Sequence, residues 1–215
     1  PDIVTDVSSD DVAAERMLDA AREAYRRREI EYPVDYAVDL TTASMPQDPR
    51  AALSQFCAWA KSRYELNWSS SALPSSDPKE LRTLLVDQAR KWDDGRIAAR
   101  AADAAKDAGD DVAALDAWFQ RECLVALTED ERSAAVEEGF EPFAHRRISE
   151  LLRTELSQFE RWVMLQVLDT AWKDHLHSMD QIKDAIGFRA FSQKDPRIEF
   201  KRESARLFDE MKEQI

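Results

Sequence analysis

Few residues of this sequence have the types and the spacing that catalysis requires. Loops that cradle phosphates follow the patterns GxxxxGK(S/T) or GxGxxG, and the four scattered glycines of the chain match neither pattern. His175 and His177 are two residues apart, so a helix would point them about 200° apart and prevent a shared metal site. No Ser-His-Asp or Cys-His spacing stands out. We therefore expect no catalytic residue, no metal site and no cofactor in this chain, and a structural role, packed or hydrogen-bonded, for His175.

The stretch from Gly187 to Asp195 has a composition that points to function. Its side chains are aromatic, basic and amide, at Phe188, Arg189, Phe191, Gln193 and Lys194. A turn between two helices needs only a few polar residues, so folding alone does not explain two phenylalanines there. An exposed aromatic side chain beside basic and amide groups is typical of a contact surface. The composition therefore predicts an interaction site.

Two predicted helices position this stretch. Upstream of Gly187, neither Gly nor Pro occurs over some forty residues, and apolar residues recur at spacings of three and four along one stripe. Gly187 predicts the end of this helix, because glycine adopts positive φ without strain. Asp195 and Pro196 predict the start of the next helix, as its N-cap and its first helical residue. The pattern predicts an antiparallel two-helix hairpin with its tip at residues 187–195.

The apolar stripe of the first hairpin helix is predicted to face a core. It includes Leu165, Leu168, Trp172, Leu176 and Met179. If Trp172 is buried, its truncation to alanine should cost about 3–5 kcal/mol of stability. Trp59, Trp118 and Trp162 also fall in predicted helices, which favours core packing over a carbohydrate-binding or base-stacking surface.

The residues that precede this hairpin predict further helices. Asp-Pro pairs at 48–49 and 77–78, and Thr128 with Glu131, have the residue types of helix starts. The first helix is expected to end just before Pro33. Residues 33–40 fit a short strand or a helical turn, and residues 93–111 fit a weakly amphipathic helix or a linker. The predicted fold class is mainly α, with room for short strands.

Composition and charge exclude several classes of protein. A formal net charge of −13 disfavours nucleic-acid binding, because phosphates attract an excess of Lys and Arg. The charged fraction of 34% and the scarcity of glycine are typical of a helical protein in water. Cys57 and Cys123 lack CxxC spacing, so we expect buried, reduced thiols. Since the sequence begins with Pro1 rather than Met, we expect it to be a piece of a longer chain.

The hairpin closely resembles the two-helix finger of SecA-type preprotein translocase ATPases. The motifs that carry the resemblance are VMLQVLDTAWKDHLHSMD, IGFRAFSQKDP and EFKRES, between Val163 and Ser204. Upstream of residue 147 the sequence is only loosely similar to the helical wing region of that family. The resemblance implies a wing-like helical subdomain in residues 1–146, and a long scaffold helix with the two-helix finger in residues 147–215.

The resemblance also implies a function for the tip. According to this resemblance, Phe191 would contact the unfolded preprotein and the mouth of the SecYEG channel. The neighbouring tip residues would take part in the same contact: Arg189, Ala190, Ser192, Gln193 and Lys194. Ala190 stands where many relatives have Gly, which stiffens the loop slightly. ATP and Mg would bind to a motor domain of the same parent chain, outside these residues. The parent would be cytoplasmic and associate peripherally with the inner face of the plasma membrane.

Two other classes of function fit parts of the sequence. The chain is alternatively a self-standing helical adaptor whose hairpin docks into a groove of a partner protein. The other class is an enzyme whose catalytic residues are far apart in the sequence and come together only in the folded chain. It would require a deep pocket with clustered polar residues.

The missing glycine loops generate the first prediction. The 215-residue chain should neither bind nor hydrolyse ATP, because no backbone cradle for the phosphates is encoded. Calorimetric titration with Mg-ATP should give only the heat of dilution. A micromolar ATP site on this chain would contradict the prediction.

Overall fold

The computed structural model describes residues 10–188, 195–213 and 215, and its regular elements are all helices. The helices are α1 (Asp10–Ser44), α2 (Pro49–Tyr64), α3 (Pro78–Ala89), α4 (Asp94–Ala108), α5 (Val112–Trp118), α6 (Glu129–Glu138), α7 (Phe140–Leu152), α8 (Thr154–Phe188) and α9 (Pro196–Glu213). One π-helical turn, Phe119–Cys123, follows α5 directly. The fold is mainly α, as predicted. Within the described residues the extended structure is a single isolated bridge between Ser69 and Ala72.

The chain divides into two compact units. The boundary lies between Leu156 and Ser157, so the first residues of α8 belong to unit 1 and the remainder, with α9, forms unit 2. Each unit is described separately below.

Local capping signals in the sequence predicted several helix starts correctly. The Asp48 carboxylate accepts hydrogen bonds from the backbone N–H groups of Arg50 and Ala51, at 3.1 and 3.0 Å. Thr128 and Glu131 form the predicted reciprocal capping box at the start of α6. Residues 93–111, which fitted either a helix or a linker, contain α4, and Gly109 ends that helix with a φ of 58°.

The predicted end of α1 at Pro33 is wrong. The helix continues through Pro33 to Ser44, so residues 33–40 are helical and form no strand. A proline inside a helix removes one backbone hydrogen bond. Here the side chains of Pro33 and Val34 are fully buried, where α1 packs against α2 and α3. The free energy gained by burying this segment offsets the cost of the lost hydrogen bond. This is an effect of tertiary packing, which helix propensity does not include.

The core of unit 1 has aromatic residues at its centre. Phe119 and Phe143 are fully buried, with ring centroids 6.1 Å apart in an edge-to-face arrangement. Alanines at 101, 104 and 108 form the buried face of α4, which allows α7 to approach closely. Trp118 is buried here, as predicted. Cys57 and Cys123 are buried free thiols, also as predicted, and burial raises the pKa of both.

The predicted burial of Trp172 is wrong. In α8 the Trp172 side chain is 43% exposed, and Trp162 is 58% exposed. Leu165, Leu168 and Leu176 are exposed as well; together with Trp172 they are called the α8 stripe. The spacing of apolar residues correctly indicated a helix with one apolar face. Periodicity does not indicate whether the group that covers this face is present in the same chain.

The burial pattern predicts different stability losses for two aromatic truncations. Phe143→Ala should lower the free energy of unfolding by about 3–5 kcal/mol, because it leaves a cavity in a closed core. Trp172→Ala should cost about 1 kcal/mol or less, since much of the side chain already contacts water. Urea unfolding followed by circular dichroism measures both. Equal losses would show that the α8 stripe is covered in solution.

Candidate interaction site

The six residues predicted to form the tip contact lie outside the described residues. They are Arg189, Ala190, Phe191, Ser192, Gln193 and Lys194. Their role therefore stays a prediction. The structure does describe the two helices that carry them, from α8 on one side to Asp195 and α9 on the other.

The helix ends on either side of the tip follow from local residue types. The Asp195 carboxylate accepts a hydrogen bond from the Arg197 backbone N–H at 2.9 Å, and α9 begins at Pro196, as predicted. On the other side α8 includes Gly187 and ends at Phe188. The predicted end at Gly187 is therefore wrong by one residue, because glycine adopts helical angles as readily as left-handed ones.

Helices α8 and α9 pack side by side in unit 2. Ser178 and Leu207 border one small cavity, and Leu165 and Ile215 border another further along. From the first cavity to the second, the residue numbers decrease on α8 and increase on α9. The two helices are therefore antiparallel, as predicted. Met211 on α9 is only 6% exposed and borders both cavities.

His175 has the packed role that its position predicted. Its ring centroid lies 5.5 Å from that of Trp172 and 5.9 Å from that of Phe208, so it packs between the two helices. Its Nδ1 atom is buried and has no hydrogen-bond partner. Across the residues that the structure describes, no group of three or more His, Cys, Asp or Glu side chains could hold a metal ion.

One side of the α8–α9 pair forms an open apolar concavity of about 650 Å³, called here the α8–α9 groove. It is lined by Leu165, Leu168, Asp169, Trp172, Phe208, Met211, Lys212 and Ile215. The Lys212 ammonium lies 5.1 Å from the centroid of the Phe208 ring and 2.8 Å from Asp209. An apolar surface with charged groups at its rim is typical of protein docking sites.

A buried polar cluster in unit 1 joins α2 to the first turn of α8. The Glu155 Oε1 atom accepts hydrogen bonds from Trp59 Nε1 at 2.9 Å and from Arg63 Nη2 at 3.1 Å. Glu155 and Arg63 are 8% and 9% exposed. Burial raises the pKa of the neighbouring Tyr64, and the Glu155 charge adds to this shift. Sequence reasoning missed Glu155, because nothing local distinguishes it among 43 acidic residues.

Comparison with known proteins identifies the family. Residues 77–215 match the family described as the SecA Wing and Scaffold domain, which is well over half of the chain. The chain belongs to this family. No solved structure matches it. Among the described residues, no helix has both the length and the apolar character needed to cross a membrane.

Individual relatives support the SecA assignment. A protein translocase subunit SecA from Endomicrobium trichonymphae is 37% identical over 118 residues, which cover 49% of this chain and 14% of the relative. The SecA of Solibacter usitatus is 57% identical over 60 residues, 28% of this chain and 6% of the relative. SecA 1 of Rhodopirellula baltica is 26% identical over the whole chain, which spans 19% of that relative. The chain thus spans less than a fifth of the length of these SecA relatives.

Exposure of the α8–α9 groove predicts dye binding by the folded chain. The fluorescent probe ANS should bind to the native protein, and Trp172→Ala and Phe208→Ala should each lower its emission by about half, because both rings line the groove. Leu84→Ala, which removes an exposed apolar side chain on α3, is the matched control and should leave emission unchanged. Equal emission from all four proteins would contradict the exposure of the groove.

Proposed function

We propose that the chain is a mechanical and interaction module of a SecA-type ATP-driven protein-export motor. The observation that supports this most strongly is membership of the SecA wing and scaffold family over residues 77–215, which includes the whole α8–α9 hairpin. In this proposal the chain has no catalytic activity of its own. ATP and Mg bind to a motor domain elsewhere in the parent chain.

Helix α8 is suited to transmit movement to the tip. It is a continuous helix of 35 residues, and its first turn is held by the buried hydrogen bonds of Glu155 to α2. A helix resists bending because each turn is bonded to the next, and sharp kinks arise mainly at prolines and bulges. There is no proline in α8. A displacement of its first turn is therefore carried to the residues that follow Phe188.

The motor domain of the same parent chain is the proposed partner of the α8–α9 groove. An uncovered apolar concavity on a helical pair is costly in water unless another surface covers it. Asp169 and Lys212 line it and form ion pairs with Lys173 and Asp209 of the same chain, so the apolar surface has polar, charge-balanced borders. A partner that belongs to the same polypeptide covers the groove permanently.

The tip is proposed to contact the preprotein and the SecYEG channel. The Phe191 side chain has a large apolar surface and an aromatic ring that can stack. It can therefore bind varied sequences without requiring a specific hydrogen-bond partner. Arg189 and Lys194 add positive charge to an otherwise acidic chain. Such a contact is weakly selective, as a motor that moves many different polypeptides requires. Its location is the inner face of the plasma membrane, with which the parent associates peripherally.

A self-standing adaptor is the second candidate, and the α8–α9 groove is the observation that favours it. A partner helix could lie in this groove through its apolar face. A motor domain encoded in frame before Pro1 would exclude this candidate, and an independent gene for the 215 residues would favour it.

The proposal predicts that the tip aromatic is essential for transport. In a complete SecA translocase that carries this segment, Phe191→Ala should slow preprotein translocation at least about tenfold, since contact area at the tip is lost. Phe191→Tyr is the matched control and should retain transport, because area and aromatic character survive. Translocation into inverted membrane vesicles measures both variants.

Two further measurements make this experiment decisive. Basal ATP hydrolysis should persist in Phe191→Ala, because the nucleotide site lies in another domain, and the melting temperature should stay within about 1 °C of the parent. Transport at the parental rate would contradict the tip contact. Unfolding of the variant would show instead that Phe191 is a core residue.

A further inference from the structure

A cavity of about 310 Å³ in unit 1 is bordered by α1, α2, α3 and the loop that joins α2 to α3. Three of its lining residues belong to the buried core: Val38, Phe56 and Leu81 are 8%, 3% and 8% exposed. It is called here the Phe56 cavity. Because core residues form part of its wall, the cavity is a depression in the folded unit itself.

The lining of the Phe56 cavity, all of it within residues 10–188, contains no ionisable side chain. Since 34% of the residues in the chain are charged, thirteen residues taken at random would include about four charged ones. Neighbouring carboxylates are engaged locally: Asp77 accepts a hydrogen bond from the Lys79 backbone N–H at 2.9 Å, and Glu80 accepts one from the Ser75 hydroxyl at 2.6 Å. A charged ligand would therefore lose its hydration here without gaining a partner of opposite charge.

The polar residues of this lining are weakly polar towards a ligand. Seven of the thirteen lining residues are apolar, and the other six are serine or threonine. The Thr41 and Thr42 hydroxyls donate to the backbone carbonyl oxygens of Ala37 and Val38, at 2.7 and 2.8 Å. Their protons are thus already bonded within α1. The lining as a whole favours a mainly apolar ligand.

The volume and the residue types favour an aromatic ligand. An apolar cavity of about 150 Å³ holds one benzene ring, and the Phe56 cavity has about twice that volume, enough for two fused rings. The Phe56 ring centroid lies 6.3 Å from that of Trp59 and 6.2 Å from that of Trp68, and a further ring at Phe56 would form an aromatic pair of the same kind. Met45 also lines the cavity, and its thioether sulfur packs favourably against aromatic rings.

We propose that the Phe56 cavity binds an uncharged aromatic molecule of about two fused rings, the chemical class of indole. The ligand is a free small molecule. The same ring on a polypeptide would bring polar main-chain groups against a mainly apolar lining. The proposal rests on unit 1 alone and does not depend on the proposed role in export.

Met45 provides a direct reporter. In the 215-residue chain labelled with ¹³C at the methionine methyl groups, the ring current of a bound aromatic should shift the Met45 resonance. The other four methionines, Met17, Met164, Met179 and Met211, do not line the cavity and are internal controls. Met211 borders the α8–α9 groove, so its resonance reports binding there instead.

The probes are indole, indole-3-acetate and tryptamine, which share one ring system and are neutral, anionic and cationic. Indole should shift the Met45 methyl resonance with a Kd of about 1 mM or below, and both charged probes should bind at least about tenfold more weakly. General attraction to a chain of net charge −13 would instead favour tryptamine. Nα-acetyl-tryptophan amide carries the ring on a peptide backbone and should also bind more weakly than indole.

Substitutions of two threonines locate the site. Thr42 is exposed and lines the cavity, so Thr42→Trp should obstruct it and weaken indole binding at least about tenfold. Thr83 is an exposed threonine of α3 outside the lining, and its hydroxyl donates to the Lys79 carbonyl oxygen just as that of Thr42 donates within α1. Thr83→Trp is therefore the matched control and should bind indole as the parent does.

A charge placed in the lining tests the basis of the selectivity. Thr42→Asp should strengthen tryptamine binding at least about fivefold and weaken indole binding, because the cation then gains a partner of opposite charge. Thr83→Asp adds the same charge outside the lining and should leave both affinities unchanged. If Thr42→Trp fails to fold, the two aspartate variants still decide the location.

Four outcomes would overturn the proposal. No shift of the Met45 resonance with indole would show that the cavity holds water alone. Tryptamine binding as tightly as indole would show that net charge, and not the neutral lining, decides the affinity. Undiminished indole binding by Thr42→Trp, or a shift confined to Met211, would place the probe elsewhere. Equal or tighter binding of Nα-acetyl-tryptophan amide would show that the cavity takes a side chain of a polypeptide and not a free molecule.

Discussion

The hydrogen bonds that Glu155 accepts from Trp59 and Arg63 hold the first turn of α8 against α2, and the placement of that turn in unit 1 depends on them. A buried ion pair adds little net stability, because desolvation of both charges offsets their attraction. Loss of one partner is nevertheless costly, since the other charge stays buried and unpaired. We infer that the Glu155–Arg63 ion pair mainly determines where the first turn of α8 lies, and adds little to the free energy of unfolding. It selects one placement of the first turn of α8 on α2, and alternative placements would leave a charge without its partner.

The two units use apolar residues in different ways. Unit 1 closes its core around Phe119 and Phe143, and needs no other surface to cover them. In unit 2 the α8 stripe keeps its rings and leucines in contact with water, although its spacing is that of a core-facing helix. A module that works inside a larger protein has this property, because part of its apolar surface is complementary to a neighbour. The same kind of spacing thus accompanies a closed core in unit 1 and an exposed apolar face in unit 2.

The helix starts that were predicted correctly have local causes, and the larger errors concern contacts between residues distant in sequence. Helix starts at Asp48, Thr128 and Asp195 depend on side chains that bond to the backbone two or three residues away. The helix through Pro33 depends on packing against other helices, which outweighs the preference of the residue itself. The polar cluster of Glu155 joins residues 92 and 96 positions apart, and no spacing rule covers such a separation. The contact role of the tip rests on family motifs and an unexpected aromatic, and stays a prediction.

Because α8 is long, a small rotation about its first turn produces a large displacement at its other end. At about 1.5 Å per residue, 35 residues make a rod of about 52 Å. A rod of this length converts each degree of rotation about its first turn into about 0.9 Å of travel at its far end. A tilt of four degrees therefore moves the end by about the spacing of one residue in an extended polypeptide, roughly 3.4 Å. In the proposed export role, such a rotation at the first turn of α8 would match the advance of an extended polypeptide by one residue.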